Sequence, residues 1–455
     1  MKLAISRWIL LVCTTTVYFG VCSGQVISFG MRKLAASTNQ FGLDLMRAMD
    51  RSEATMAFCP FCIGSSLAQL LMGAQGPMES ALRHALYLWG MQPQEINLAF
   101  YDMNNHLGVN LPYGLRHRSS GLFSSNNYLT NETNDNEVIF TNNIYYQRDF
   151  GINYNYHILL QRFYKTAVHP LDFVHNGEET RQHINAIVEM QTGNKVKDIL
   201  PDRQSAATQL LLISAFYFEG TLDINMSSTK RLNNHIYNNK VNNNLIKPMH
   251  GYDAFGDEST ILESRRSRIR HGINTYLNCT AVEMPFKGGI ISLVAIMPHD
   301  INGLDLMLTR MSAQMLSDVV SGLEVKRVSL KMPKLSFEKS NRNLSRAFAN
   351  MGLSDLFKPG YANLYHISDY KWLHVSEVLH KTYIDIKESA FPMHSYNSSS
   401  NVKNFNTNFK NQHNSDVTHV EFDKPFVYFI VDNISGLILV MGKVGREPAN
   451  YRLPV

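Results

Sequence analysis

Three short stretches carry residue types at spacings that can do chemistry. Cys59-Pro60-Phe61-Cys62 has the C-x-x-C spacing that, in a thioredoxin setting, makes a redox pair, because a thiol at a helix start has a lowered pKa. Arg265-Arg266-Ser267-Arg268-Ile269-Arg270-His271 sets Arg265, Arg266, Arg268 and Arg270 beside a histidine, enough positive charge to attract a sulfated glycan or an acidic surface. The same run contains Arg-x-x-Arg from Arg265 to Arg268, a target for secretory-pathway proteases, and it otherwise reads as a solvated loop insertion within an expanded hairpin. Gly436 to Val444 has the glycines of a phosphate loop at the wrong spacing, and Val444 stands where such a loop needs Ser or Thr, so the segment reads as a strand. His-Glu-x-x-His and Gly-x-Ser-x-Gly are both missing, which leaves no basis for a hydrolase, a metal site or a cofactor.

Asn131, Asn225, Asn278, Asn343, Asn397 and Asn433 each open an N-x-S/T triplet without an intervening proline, the acceptor signature for N-glycans. That chemistry requires export, and the first 24 residues supply a signal for it. Lys2 and Arg7 are the charged start, Trp8 to Val21 the apolar run, and Val21, Ser23 and Gly24 a small-residue exit. Cleavage leaves 41 basic against 38 acidic residues, too even a balance to imply nucleic acid. Cys13 and Cys22 depart with the signal, and the remaining Cys59, Cys62 and Cys279 cannot form a disulfide scaffold. Past the signal, no run of about 18 uncharged apolar residues is present to span a membrane. The expectation is a secreted, soluble, monomeric glycoprotein.

The elements that would position these residues alternate between two periods. Thr38 to Ser52 puts Phe41, Leu45 and Ala48 on one helical face behind a Ser37/Thr38 cap. Glu178 to Asn194 does the same with Ile184, Ile187 and Val188, then stops at Gly193. By contrast, Thr208 to Phe218, Ile290 to Pro298 and Phe426 to Asp432 are nearly continuous apolar runs, as in strands buried on both faces. The class is α+β, helices packed over sheets. Arg116 to Asp135, Glu263 to Thr275 and Asn397 to Ser415 are polar and unpatterned and read as surface loops, with no boundary between independent domains.

Several longer motifs then fall in one order. Cys59 to Gly76 resembles the serpin helix signature Ser-Pro-x-Ser followed by an apolar helix and Gly-Ala-x-Gly. Ile184 to Leu200, Leu210 to Gly220, Val282 to Gly289, Leu330 to Phe357, Val375 to Glu388 and Phe422 to Val444 are similar to later serpin motifs. The resemblance covers most of residues 35 to 448. It implies one serpin domain over residues 25–455, with three β-sheets, a shell of helices and an exposed reactive loop at about residues 388–419. In this setting the C-x-x-C pair falls at a buried helix start, where small buried side chains or a local disulfide are expected over redox catalysis. An inhibitory serpin offers its loop as bait; after cleavage the loop inserts into the large sheet as a new strand and distorts the protease.

The resemblance also shows where this chain departs. The inhibitory hinge is Glu-Glu-Gly-Thr followed by small residues, whereas here Glu388, Ser389, Ala390, Phe391 and Pro392 stand in line. Ala390 replaces a glycine, Phe391 brings a ring where a threonine would be buried, and Pro392 lacks the N–H that a central strand donates. Asn397, on the inward face in the same register, opens a sequon whose glycan cannot enter a packed interior. His380 matches the family's histidine, but around it Cys59 and Cys62 replace two serines and Ser214 replaces an asparagine, so this shutter network is expected to lose its better donors. Leu222 takes the place of a tryptophan. The resulting expectation is a non-inhibitory carrier, ligand-binding or interaction protein. The alternative is a suicide inhibitor of a secreted serine endopeptidase, with Lys403, Asn404, Phe405 or Lys410 as bait; a trypsin-like target would favour the two lysines. A serine protease, an extracellular ligand and a glycosaminoglycan are the partners to consider.

Overall fold

A computed structural model describes residues 27–49, 55–108, 136–230, 260–341, 344–389 and 417–445. The export signal (1–24), residues 116–135 and residues 397–415 lie outside them.

Strands pair into two hydrogen-bonded networks. In chain order they are β1 (Thr55–Phe58), β2 (Asn136–Gln147), β3 (Ala167–Leu171), β4 (Leu210–Thr221), β5 (Ser227–Lys230), β6 (Thr260–Asn274), β7 (Cys279–Pro285), β8 (Ile291–Pro298), β9 (Glu324–Pro333), β10 (Ser336–Asn341), β11 (Val375–Lys387), β12 (Thr418–Glu421), β13 (Phe426–Asp432) and β14 (Ile438–Val444). One sheet has five strands in the order β10-β11-β4-β2-β3; the other has nine, running β1-β14-β13-β8-β7-β6-β9-β12 with β5 on β6. Two of the three expected sheets are joined in this second network because β6 is continuous for 15 residues. Its first part pairs with β5, its last five residues with β7, and β9 follows it from Ile261 to His271.

The apolar runs read as strands are strands. Phe426–Asp432 has the expected bounds, and β4 and β8 are buried along nearly their whole length because layers cover both faces. Two local expectations are corrected. The first helix, α1 (Phe29–Ala48), starts nine residues before the Ser37/Thr38 cap: Ser28 is the cap, its hydroxyl accepting from the Met31 N–H at 3.2 Å. Met31, Leu34 and Ala35 extend the apolar face backwards, so Ser37 and Thr38 are buried within the helix, where the Ser37 hydroxyl donates to the Tyr87 carbonyl. The arginine-rich run is not a loop. It lies within β6, where Ser264, Ile269 and His271 are buried and Arg268 is exposed, the alternation of a half-buried strand.

Helix α2 (Pro60–Gly73) is buried all round apart from Met72 and packs against β2, β4 and β14. Helices α3 (Gly76–Ala85) and α4 (Pro93–His106) pack beside it, and α5 (Tyr154–Leu159) leads to β3. Helix α6 (Gly177–Gln191) lies over the opposite face of the five-stranded sheet, with Ile184 and Val188 packed on Ile139, Ile213 and Tyr217. It ends at a Thr192 cap, and Gly193 follows at φ 61°, the left-handed conformation a glycine terminator supplies.

Candidate functional site

The site is the seam between β4 and β11, the two strands a serpin loop would have to part. They pair in parallel from Val375↔Leu210 to Lys387↔Thr221. Strand alternation gives the seam two faces. Phe216, Phe218, Ile384 and Ile386 join the larger core around α2, while Ile213, Ala215, Leu379 and Tyr383 join the smaller one beneath α6.

At mid-seam, His380 is fully buried. Its Nε2 accepts from the Cys59 backbone N–H at 3.0 Å and from the Thr382 hydroxyl at 2.7 Å, which puts the neutral ring's proton on Nδ1, 2.8 Å from Ser214 Oγ. Burial lowers its pKa to about 3, and the hydrogen bond with Ser214 offsets only part of that. Neither cysteine side chain donates to His380, whose ring is satisfied from elsewhere. A main-chain N–H and the Thr382 hydroxyl supply what the substituted side chains do not, and Ser214 keeps the remaining contact.

Cys59 and Cys62 are both buried and form a disulfide, choosing between the two alternatives the sequence left open. Cys59 caps α2, its Sγ accepting from the Cys62 N–H at 3.1 Å, and the Asn142 amide from β2 donates to the Cys62 carbonyl at 3.3 Å. Cys279, distant in sequence, is a buried free thiol whose pKa burial pushes up to about 11, so it is inert.

The upper end of the seam is closed by a polar clasp that sequence reasoning missed. Lys387 Nζ lies 2.5 Å from Glu219 Oε1 across the two strands, and this hydrogen bond holds the ammonium above its usual range. The Tyr217 hydroxyl donates to Glu219 Oε2 at 2.7 Å, and the Tyr217 and Tyr383 rings stack across the seam with centroids 5.1 Å apart. Lys195, just past α6, sits over the Tyr217 ring and pairs with Glu137 of β2 at 3.4 Å. Tyr217 and Glu219 are two apart on one strand, so they share a face; identifying their partners required the register with β11. Just above, the Leu222 N–H donates to the Lys387 carbonyl, and Leu222 is fully buried where the resemblance places a tryptophan.

On the core side of this same end, space is exhausted. A Cβ built on Gly220 would lie 2.7 Å from Phe218 Cζ and 2.8 Å from Phe286 Cδ1. The two rings meet edge to face at 5.0 Å.

Of the hinge, Glu388 and Ser389 are described, both half-buried beyond the last β11 pair. Ala390, Phe391, Pro392 and the candidate bait residues Lys403, Asn404, Phe405 and Lys410 lie outside the described residues. So do the sequon asparagines Asn131, Asn343 and Asn397. Of the other three, Asn225 is exposed, whereas the Asn278 amide donates to Asp300 at 3.1 Å and the Asn433 amide donates to the Gly289 carbonyl and Ser292 hydroxyl, both at 2.9 Å. The arginine set divides as well. Arg268 is exposed, but Arg270 is committed to Glu283 and to the carbonyls of Val320 and Leu323. The side chains of Arg265 and Arg266 lie outside the described residues. Among the described residues, no group of three or more His, Cys, Asp or Glu is arranged to hold a metal ion, and no helix is long and apolar enough to cross a membrane.

Comparison with known proteins accounts for this architecture. The family model "Serpin (serine protease inhibitor)" matches residues 36–446. Mouse Serpin B13 is 25% identical over 419 residues, covering 91% of this chain and 99% of its own. Intracellular coagulation inhibitor 1 of Tachypleus tridentatus is 26% identical, over 92% of this chain and 90% of its own. Among solved structures, a tumour suppressing serpin superposes with a TM-score of 0.70 at 20% identity, over 91% of this chain and 99% of its own. Uncleaved ovalbumin gives 0.67 at 17% identity, over 90% and 99%.

Proposed function

The chain belongs to the serpin family, and from that premise we propose that it works with its reactive loop outside the sheet, as a non-inhibitory carrier, ligand-binding or interaction protein. In the same reading, residues 1–24 are an export signal and residues 25–455 one serpin domain, acting outside the cell as a monomeric glycoprotein.

One observation carries the proposal: the fit of the hinge to the seam. A loop that turned after Glu388 and re-entered between β4 and β11 would lay its first inward side chain, Phe391, beside Gly220 and Ile386. Phe218 and Phe286 there leave no room even for a methyl group on Gly220. Forcing a ring into such packing costs about 1–3 kcal/mol. The next residue, Pro392, has no N–H to donate, and the carbonyl left unpaired in a central strand costs about 1–3 kcal/mol more. Opening the seam also breaks the Glu219–Lys387 clasp and the Tyr217–Tyr383 stack. A glycan on Asn397 would stop the strand at that point whatever the energy gained before it.

A second reading, suicide inhibition of a serine endopeptidase, has support of its own. Relatives spanning nearly the whole chain are named as inhibitors, among them a coagulation inhibitor and mouse Leukocyte elastase inhibitor A at 23% identity. The His380 network, which an opening sheet has to rearrange, is also fully formed. The two readings part on incubation with trypsin-, chymotrypsin- and elastase-like proteases. A loop that stays out is cleaved as a substrate or left intact, with no SDS-stable band at the summed mass; such a band establishes the inhibitor.

A further inference from the structure

The disulfide between Cys59 and Cys62 stands where α2, β2, β4 and β11 meet. Cys59 caps α2, and its own N–H is one of the two donors to His380 Nε2 on β11. The Asn142 amide of β2 holds the Cys62 carbonyl at 3.3 Å, and from β4 the Ser214 Oγ lies 2.8 Å from His380 Nδ1. Parting β4 from β11 therefore breaks the contact on one side of a ring whose other side is bonded to the main chain of Cys59. While the seam is closed both sulfurs are out of reach, Cys59 being 1% and Cys62 0% exposed.

The chemistry of the pair is that of a helix start. The Cys62 N–H donates to Cys59 Sγ at 3.1 Å, and the N-terminal end of the helix dipole favours negative charge there. A Cys59 thiolate is thus the better leaving group, which directs an incoming thiolate to Cys62 Sγ. The packing gives reduction a direction as well, because two thiols in contact need more room than one bonded pair. On the α1 side the first turn of α2 cannot give way: a Cβ on Gly42 would lie 2.9 Å from Pro60 Cβ and 2.8 Å from the Met441 sulfur. The added volume is taken on the seam side, at the Cys59–His380 hydrogen bond.

We propose that Cys59–Cys62 is a thiol–disulfide exchange site gated by the seam. Closed, the seam keeps the disulfide inert; when β4 and β11 part transiently a dithiol reduces it, and the reduced pair leaves the middle of the seam easier to open. The dithiol's thiolate bonds to Cys62 Sγ as the Cys59–Cys62 bond breaks, and Cys59 takes the electron pair and then a proton. The second sulfur of the dithiol displaces Cys62 from the mixed disulfide, and Cys62 takes the second proton. The protein gains two electrons and two protons, and the dithiol leaves as a disulfide, the species that reoxidises the pair. The gate requires the strands to part and not the loop to enter, so its failure and that of the proposed function are distinguishable.

The test is reduction of the full-length protein by dithiothreitol, with maleimide trapping and mass spectrometry of each cysteine. Reduction of the native protein is expected to be at least about 100-fold slower than that of the urea-unfolded chain, with Cys279, buried in β7, untouched as the internal control for global unfolding. Ser214→Ala, which leaves the buried His380 N–H unpaired on the β4 side, should speed reduction at least about fivefold. Arg270→Gln, which loses Glu283 and two carbonyls in the other sheet, should change it less than about twofold. In amide exchange, residues 210–221 and 375–387 should open at least about fivefold more often once the pair is reduced, and β13 no more often. Reduction as fast as in the unfolded chain, trapping of Cys279 at the same rate, or equal acceleration by the two variants overturns the gate. Trapping of both Cys59 and Cys62 without dithiothreitol overturns the exchange site, and equal amide exchange in the oxidised and reduced proteins overturns its control of the seam.

Discussion

Protonation of His380 is expected to make the protein acid-labile in a defined window. The ring is buried with only neutral neighbours: the Cys59 N–H, the Thr382 hydroxyl and Ser214 Oγ. Its pKa is lowered from 6.5 to about 3, so below pH 6.5 the unfolded chain takes up a proton that the native state refuses until about pH 3. Stability therefore falls as pH falls through this interval, by about 1.4 kcal/mol per unit and roughly 5 kcal/mol in all, and this contribution is flat above and below it. Half-buried His169 and buried His271, also lowered chiefly by burial, add shallower components in the same direction. Urea unfolding at a series of pH values, on the parent and on His380→Gln, isolates the term. Glutamine can still accept from the Cys59 N–H but does not titrate, so the variant starts less stable at pH 7.5 and loses stability more slowly on acidification. Parallel curves from pH 6.5 to 4 would refute the assignment of a buried neutral imidazole at the seam.

Four further outcomes follow from the same geometry. Cys59→Ser with Cys62→Ser should fold and lose no more than about 2 kcal/mol by denaturant unfolding, because a disulfide closing so short a loop constrains the unfolded chain little and a serine hydroxyl introduced at the cap position would still accept from the first turn of α2. Lys387→Ala should cost less than about 1 kcal/mol in the same assay, since the Glu219–Lys387 pair is partly exposed and screened; a larger loss would show the clasp to be a main support of the seam. Glycopeptide mapping of exported protein should find Asn225 occupied and Asn433 bare, as the Asn433 amide is already spent on two hydrogen bonds; the reverse pattern would refute that ranking. Gly220→Ala should destabilise by about 1–3 kcal/mol through its clash with Phe218 and Phe286, and a neutral result would remove the packing argument for the hinge.

Much of the fold was legible because serpin motifs are long and ordered, and because apolar runs such as Phe426–Asp432 admit only a buried strand at that length. Local punctuation was less legible. Ser37 and Thr38 look like a cap until Met31, Leu34 and Ala35 are counted on the same helical face, so tertiary burial extended the helix through two residues that usually begin one. The arginine run was read as a loop because its charge outweighed the alternation of Ile269 and His271 with Arg268. Around the seam, the positions of His380, Ser214 and the C-x-x-C pair followed from motif alignment. Thr382 and the Cys59 N–H as replacement donors did not, since a main-chain donor leaves no mark in side-chain identity. The Glu219–Lys387 clasp joins residues 168 positions apart, and only strand register brings them together.

The central claim, that the loop does not enter the seam, is tested most directly by nicking the loop between Asn401 and Ser415 and measuring the melting temperature. A loop able to insert would add a fully paired strand between β4 and β11 and raise Tm strongly. Because an inserting loop would have to bring Phe391 into the packed Gly220 corner, and Pro392 has no N–H to donate, the cleaved and intact proteins should melt within a few degrees of each other, and Asn397→Gln alone should not separate them. A large rise on cleavage of the parent protein would contradict the claim and establish a sheet that opens to take in its own loop.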